Sequence, residues 1–224
     1  MKRSRINEII HDAEAFIADC NFLLPPVATW SAADWERQDG QLSLVKRSGI
    51  GWDITDFNKG DFDRFGLVLF TLRNGLPPGD VGTTIPYAEK LLVSRQDQIT
   101  LMHYHKCKTE DIIVRGGSPL AVRLYNLDPS GQLDKKSPVS FRMDGISHEI
   151  PAGDTVIVPP GESITLVPYC AHAFWGHGGT SLVGEVSSVN DDKTDNFFFE
   201  DLSRFPSIEE DEPPYRLIVP DYLV

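Results

Sequence analysis

The stretch His103-Tyr104-His105-Lys106-Cys107-Lys108-Thr109-Glu110 decides how the chain is read, together with Gly153-Asp-Thr-Val-Ile-Val-Pro159-Pro160-Gly161 further along. Side chains two positions apart on a β-strand share a face. His103 and His105 therefore point to one side if the apolar segment 98–104 is a strand. A turn at Lys106-Cys-Lys-Thr109, returning as a hairpin into Asp111-Ile-Ile-Val114, brings Glu110 beside them. Two imidazoles and a carboxylate make a ligand set for a divalent first-row metal, with positions left for substrate or water. In the second stretch Gly153 follows Pro151-Ala152 in a turn. Pro159-Pro160-Gly161 ends a buried strand in a turn that needs positive φ.

The whole chain narrows the possibilities. Its 224 residues, 41% of them apolar, suffice for one β-rich domain with a real core. A net charge of −12 argues against nucleic acid or an anionic membrane as partner. The N-terminus is basic (Met1-Lys2-Arg3-Ser4-Arg5), but Asn7, Glu8, His11, Asp12 and Glu14 interrupt any apolar run. Neither a signal peptide nor a membrane span is expected. Cys20, Cys107 and Cys170 have no framework spacing, which points to reduced thiols in the cytoplasm. All three read as small buried hydrophobes.

Residues 4–21 read as a helix, with Ile6, Ile9, Ile10, Ala13, Phe16 and Ile17 at helical spacing and Ser4 as its cap. Pro25-Pro26 stops it, and Ser31 caps a second short helix before Ala-Ala-Asp-Trp35. From about residue 42 short apolar runs alternate with Gly, Pro, Asn and Asp clusters. The runs are 42–45, 65–73, 89–94, 98–104, 111–115, 120–126, 141–143, 148–151, 155–158, 164–167 and 181–186. This spacing signals a sandwich or barrel. The acidic run 209–212 reads as a solvated loop. One domain is expected over 1–224, with a helical extension over about 1–40 and a tail over about 205–224.

These motifs resemble the cupin superfamily, whose first motif is G-x5-H-x-H-x(3,4)-E-x6-G. His103, His105, Glu110 and Gly117 match it, while Asp97 stands where the leading glycine belongs. The second motif begins G-x5-P-x-G, and Gly153, Pro159 and Gly161 match. The resemblance implies a mainly β fold, the double-stranded β-helix or jelly-roll barrel. It also implies a fourth ligand, a histidine soon after the last glycine. Here Glu162, Ser163 and Ile164 follow, so the spacing departs. His172, after the apolar run 164–167, is the candidate, ahead of His177 in a His-Gly-Gly turn and His148 on an edge strand. His11 reads as structural or solvated.

A metal site does not name a reaction. Lys90, Lys108, Glu185, Phe174 and Trp175 lie near these segments and suit a polyhydroxylated substrate. The blocks His103–Asp111 and Gly184-Glu185-Val-Ser-Ser-Val-Asn190-Asp191-Asp192 resemble those of the D-lyxose isomerase family of cupin-type ketol-isomerases. The resemblance implies interconversion of D-lyxose and D-xylulose, with D-mannose and D-fructose as a second pair, and Mn²⁺ as the metal. Co²⁺, Fe²⁺ or Zn²⁺ are alternatives. Such a reaction can shuttle a proton between C2 and C1 through a cis-enediolate, carried by a carboxylate base, with a metal-assisted hydride shift as the alternative. Glu185 is the candidate base. Lys108 is a candidate for stabilising oxyanions; Lys90, Asp191 and Trp175 are candidates for holding substrate. Competing readings are an iron-dependent dioxygenase and a non-catalytic sugar-binding module. A homodimer is expected, because cupin barrels commonly pair through their sheets.

Overall fold

A computed structural model describes residues 1–76, 85–200, 202 and 207–222. Of the expected C-terminal tail, residues 205–206 and 223–224 lie outside the described residues. The helices described are α1 (Arg3–Asp19), α2 (Ala32–Gln38), α3 (Ser43–Arg47) and the C-terminal α4 (Val219–Tyr222). The strands are β1 (Gly51–Thr55), β2 (Leu67–Asn74), β3 (Tyr87–Ser94), β4 (Thr100–Tyr104), β5 (Glu110–Gly117), β6 (Leu120–Leu127) and β7 (Leu133–Asp134). They continue with β8 (Val139–Met143), β9 (Ile146–Ile150), β10 (Thr155–Val158), β11 (Ser163–Leu166), β12 (Ala171–Gly176), β13 (Ser181–Ser188) and β14 (Phe197–Phe198).

The strands form two antiparallel sheets. One has eight strands in the order β1-β2-β3-β13-β5-β11-β8-β9; the other runs β10-β6-β12-β4-β14, with β7 beside β6. Both contribute to one core, which holds Leu69, Leu92, Ile112 and Val183 from the first and Leu101, Val122, Val156 and Phe174 from the second. The protein is thus mainly β with N-terminal helices. Alternation sets what each strand offers. On β3, Leu91 and Val93 face α1, while Leu92 faces the shared core.

Helix α1 lays Ile6, Ile9, Ile10, Ala13 and Ile17 on the outer face of the eight-stranded sheet, against Trp52, Val68, Phe70 and Leu182. Each isoleucine removed from water contributes about 2 kcal/mol. The helix starts differently from expectation. Its N-cap is Lys2, which makes no side-chain cap. Instead Asp211 accepts from Ser4 N (2.9 Å) and Ser4 Oγ (2.7 Å). A carboxylate there also complements the helix dipole. Glu210 pairs with Arg3, and Glu212 accepts from Asn7 Nδ2. The acidic run is therefore no free loop: it is exposed yet fastened along the first turns of α1.

Ser31 does cap α2, reciprocally with Asp34: Asp34 N donates to Ser31 Oγ and Ser31 N to Asp34 Oδ2. The run 42–45, expected as a strand, instead opens α3, with Leu42 as its N-cap and Lys46 and Arg47 in the last turn. The edge at β1 is covered where Trp52 bridges in parallel to Ile218, which is fully buried.

The most consequential difference concerns the expected hairpin. Strand β4 pairs with β12 and β14 in one sheet, whereas β5 pairs with β13 and β11 in the other. Residues 105–109 therefore cross from sheet to sheet rather than turn back. Gly153 and Gly161 take φ of 81° and 95°, as their turns require. Asp97 adopts the same left-handed region at φ 56°, a conformation that Asp tolerates better than most L-residues.

Candidate active site

The crossover lets the two sheets build one cavity. The six-stranded sheet supplies His103 from β4 and His172 from β12, directly opposite each other in register. The eight-stranded sheet supplies Lys90 from β3, Glu185 from β13 and Glu110 from β5. Lys90 and Glu185 are cross-strand partners. His105 and Lys108 come from the crossover. All seven are buried.

The ligand atoms of His103, His105 and His172 lie within 4.8 Å of one another. Each imidazole is oriented by a backbone carbonyl at Nδ1. His103 faces Leu101 O at 2.7 Å, His172 faces Cys170 O at 3.0 Å, and His105 faces Asp195 O. A carbonyl only accepts, so Nδ1 carries the proton and Nε2 presents a lone pair. The Nε2 atoms of His105 and His172 are buried without a hydrogen-bond donor. Glu110 Oε1 lies 3.1 Å from His172 Nε2 and 3.7 Å from His105 Nε2. Lone pairs so placed repel unless a cation or proton lies among them. Burial, reinforced by the neighbouring histidines, holds His103 well below the usual imidazole range. Burial and then Lys108 push His105 down to about 4. Neutral imidazoles with converging lone pairs beside a carboxylate fit a divalent cation.

Next to this cluster five charges alternate in sign. Lys108 Nζ lies 2.6 Å from Glu110 Oε2 and 3.0 Å from Glu185 Oε1. Lys90 Nζ lies 3.3 Å from Glu185 Oε1 and 3.8 Å from Asp192 Oδ1. Burial opposes the charge on Lys108, but Glu110 and Glu185 overbalance it and raise its pKa. Burial likewise opposes ionisation of Glu110; Lys108, His172 and His105 outweigh it and hold the carboxyl well below the usual range. Asn190 Oδ1 accepts from Lys90 Nζ (2.7 Å) and more weakly from Lys108 Nζ (3.4 Å).

Two expected residues are not brought here. Trp175 stands three positions after His172, on the other face of β12, with the Arg123 guanidinium 5.3 Å from its ring centroid. Phe174, at an even offset, lines the cavity instead. Asp191 spends its carboxylate on its own turn, accepting from Lys193 N, Thr194 N and Thr194 Oγ1. Its neighbour Asp192 lines the cavity with Asn196, Thr100, Phe57 and Phe198. Sequence reasoning missed these: Phe57, Asp192 and Asn196 are loop side chains without periodicity, and Thr100 and Phe198 sit at the ends of β4 and β14. His148 stacks on Phe141, away from the cluster. Cys170 is buried and its thiol is pushed up to about 12 by burial, whereas Cys107 is exposed, contrary to expectation.

Fold and site together define a metalloenzyme built between two β-sheets. The family profile of D-lyxose isomerase matches residues 1–222. The chain belongs to the D-lyxose isomerase family of metal-dependent sugar isomerases. It is 46% identical over 226 residues to a D-lyxose/D-mannose isomerase of Serratia proteamaculans, covering 100% of this chain and 98% of that one. It is 42% identical to a D-lyxose/D-mannose isomerase of Escherichia coli O157:H7, covering 99% and 98%. Among solved structures, L-ribose isomerase of Acinetobacter sp. DL28 in complex with L-ribose shares the fold. Its TM-score is 0.60 at 15% identity, over 93% of this chain and 98% of that one. The Geodermatophilus obscurus L-ribose isomerase gives a TM-score of 0.61 at 16% identity, with the same coverages.

Proposed function

We propose that the chain interconverts D-lyxose with D-xylulose and D-mannose with D-fructose, using Mn²⁺ held by His103, His105, His172 and Glu110. The observation that carries this reading is the Glu185 carboxylate set between two buried ammonium groups, beside converging unpartnered imidazole nitrogens. A divalent ion in that cluster supplies Lewis-acid polarisation of the sugar's C1 and C2 oxygens. Glu185 takes the proton from C2 of the aldose and returns it to C1 on the same face. Glu110 is committed to the histidines and Lys108, so it is not free to act as this base. Lys108, kept cationic by two carboxylates, stabilises the negative charge that develops on the reacting oxygens. Lys90 holds Glu185 in place and presents a donor to a hydroxyl. Thr100 Oγ1 and Asn196 Oδ1, buried in the cavity wall without partners, are acceptors for the sugar's remaining hydroxyls.

In this reading the two sheets close into a single cupin barrel, supported by their shared core. A helical extension reaches about residue 40 and a tail begins near residue 205. The active form is a homodimer. The exposed edge strand β9, with Ile146 65% accessible, supports that assembly. The three free thiols support a cytoplasmic setting. Among the described residues no helix is long and apolar enough to cross a membrane. The net charge of −12 disfavours nucleic acid as a partner.

The test is an aldose panel with EDTA-stripped protein reloaded with Mn²⁺, Co²⁺, Fe²⁺ or Zn²⁺. Ketose formation from D-lyxose and D-mannose, with solvent deuterium entering the product, is expected. Oxygen uptake without ketose would reject the reading in favour of a dioxygenase. Sugar binding without deuterium exchange would leave a binding module.

A further inference from the structure

The crossover 105–109 has to deliver three groups to one point: the His105 ring, the Lys108 ammonium and Glu110 at the start of β5. It has no helix or strand of its own up to Glu110. A segment of that kind needs something outside itself to hold its path. Tyr169 N and Ser188 tie its two ends, at His105 O and Thr109, and one residue holds the stretch between. The Asp195 carboxylate accepts from three successive backbone amides: Lys106 N (2.7 Å), Cys107 N (3.1 Å) and Lys108 N (2.9 Å). The same residue's carbonyl faces His105 Nδ1. Asp195 is fixed in turn by Asp191, whose carbonyl accepts from Asp195 N at 3.0 Å. The turn between them is closed by the Asp191 carboxylate.

Hydrogen bonds from amides to a carboxylate are charge-assisted and stronger than neutral ones. Three in a row form a concave anion nest, here filled by the protein's own side chain. We infer that Asp195 is a positioning residue for the metal centre. Its side chain fixes the backbone that aims His105 and Lys108, and its carbonyl fixes the tautomer of His105. Ligands oriented in this way bind metal more tightly, and loss of such support typically costs about 10- to 100-fold in affinity. Asp191 thereby serves the site indirectly, through Asp195 rather than through a sugar hydroxyl.

The inference rests on the proposed metal reading, and the experiment separates the two. Mn²⁺ is titrated into the metal-free protein and free ion is counted by electron paramagnetic resonance. The wild type, Asp195→Ala, Asp195→Asn and Asp195→Glu are compared with a control, Asp128→Ala. Asp128 also closes an Asx turn, through Ser130 N and Gln132 N, but in an exposed loop elsewhere. The expected result is a Mn²⁺ dissociation constant raised about 10- to 100-fold in Asp195→Ala, with partial rescue in Asp195→Glu and none in Asp128→Ala. At saturating Mn²⁺ the kcat of Asp195→Ala should remain depressed, because Lys108 is still loosely held. If Asp195→Ala does not fold, Asp195→Asn reads the same quantity. Wild-type Mn²⁺ affinity and kcat in the folded Asp195 variants would overturn the positioning role and leave the metal reading intact. Absence of Mn²⁺ binding by the wild type would overturn both.

Discussion

Replacing Glu185 by Gln removes one negative charge from a buried group in which Lys108 and Lys90 lie 3.0 and 3.3 Å from the same oxygen. At an effective dielectric of about 20, a pair at such a distance attracts by about 5 kcal/mol before desolvation. Neither lysine is left alone by the substitution. Lys108 keeps Glu110 at 2.6 Å, and Lys90 keeps Asn190 Oδ1 at 2.7 Å. The stability cost should therefore fall near the lower end of broken buried pairs, about 3 kcal/mol. The catalytic cost is larger, because a positioned general base contributes about 10²- to 10⁴-fold. Metal binding should survive, since the histidine cluster does not include Glu185. Three assays check this together: kcat for ketose formation, deuterium exchange at C2 and Mn²⁺ titration. A variant that binds Mn²⁺ normally and turns over within threefold of wild type would show that the base lies elsewhere. Loss of Mn²⁺ binding along with activity would mean that Glu185 supports the ligands instead of moving the proton.

Three more outcomes are expected. Metal-free protein should lose stability as pH falls below 7. Burial holds the folded His105 at about 4, against about 6.5 for an ordinary imidazole, so the unfolded chain binds the extra proton in that window. The loss from this group alone is about 2 kcal/mol between pH 7 and pH 5, read as a lower urea midpoint, and His105→Gln should flatten the profile. Arg3→Ala should cost about 2 kcal/mol, mostly through Asp221, because Glu210 is largely in water. Arg3 is 2% exposed and pairs with Glu210 at 2.6 Å and Asp221 at 2.7 Å. An unchanged melting temperature would show that the other contacts of the C-terminal segment, such as Ser4–Asp211 and Asn7–Glu212, hold it without Arg3. Asp97→Gly should raise stability by about 0.5 kcal/mol, by relieving φ 56° at the cost of extra freedom when unfolded. A fall in melting temperature would indicate that the Asp97 side chain stabilises the turn.

Local patterns were legible in the residues. The period of α1, the Ser31 cap, most strands and the turns at Gly153 and Gly161 all arise from neighbours in the chain. Run 42–45 was misread because a short apolar run has the same look in a helix or a strand. The hairpin after His105 was misread because pairing is decided across the fold: β5 finds β13, far along the chain. Trp175 could have been excluded by parity, since an odd offset from His172 places it on the opposite face. Asn190, Asp192, Asp195 and Asn196 carried no such signal. Asp192 and Asn196 reach the cavity by the course of one loop, which is tied to the crossover through the Asp195 carboxylate.

The wide sequence separation of the cavity's parts bears on how the protein matures. Lys108 meets Glu185 across 77 positions, His105 meets Asp195 across 90 and Lys90 meets Asn190 across 100. On a ribosome adding about 5–20 residues each second, the early histidines emerge several seconds before the loop that orients them. The centre cannot be complete until residues 190–196 have been made. A metal that needs the fully oriented cluster can therefore be held firmly only after that loop has joined His105 and Lys90.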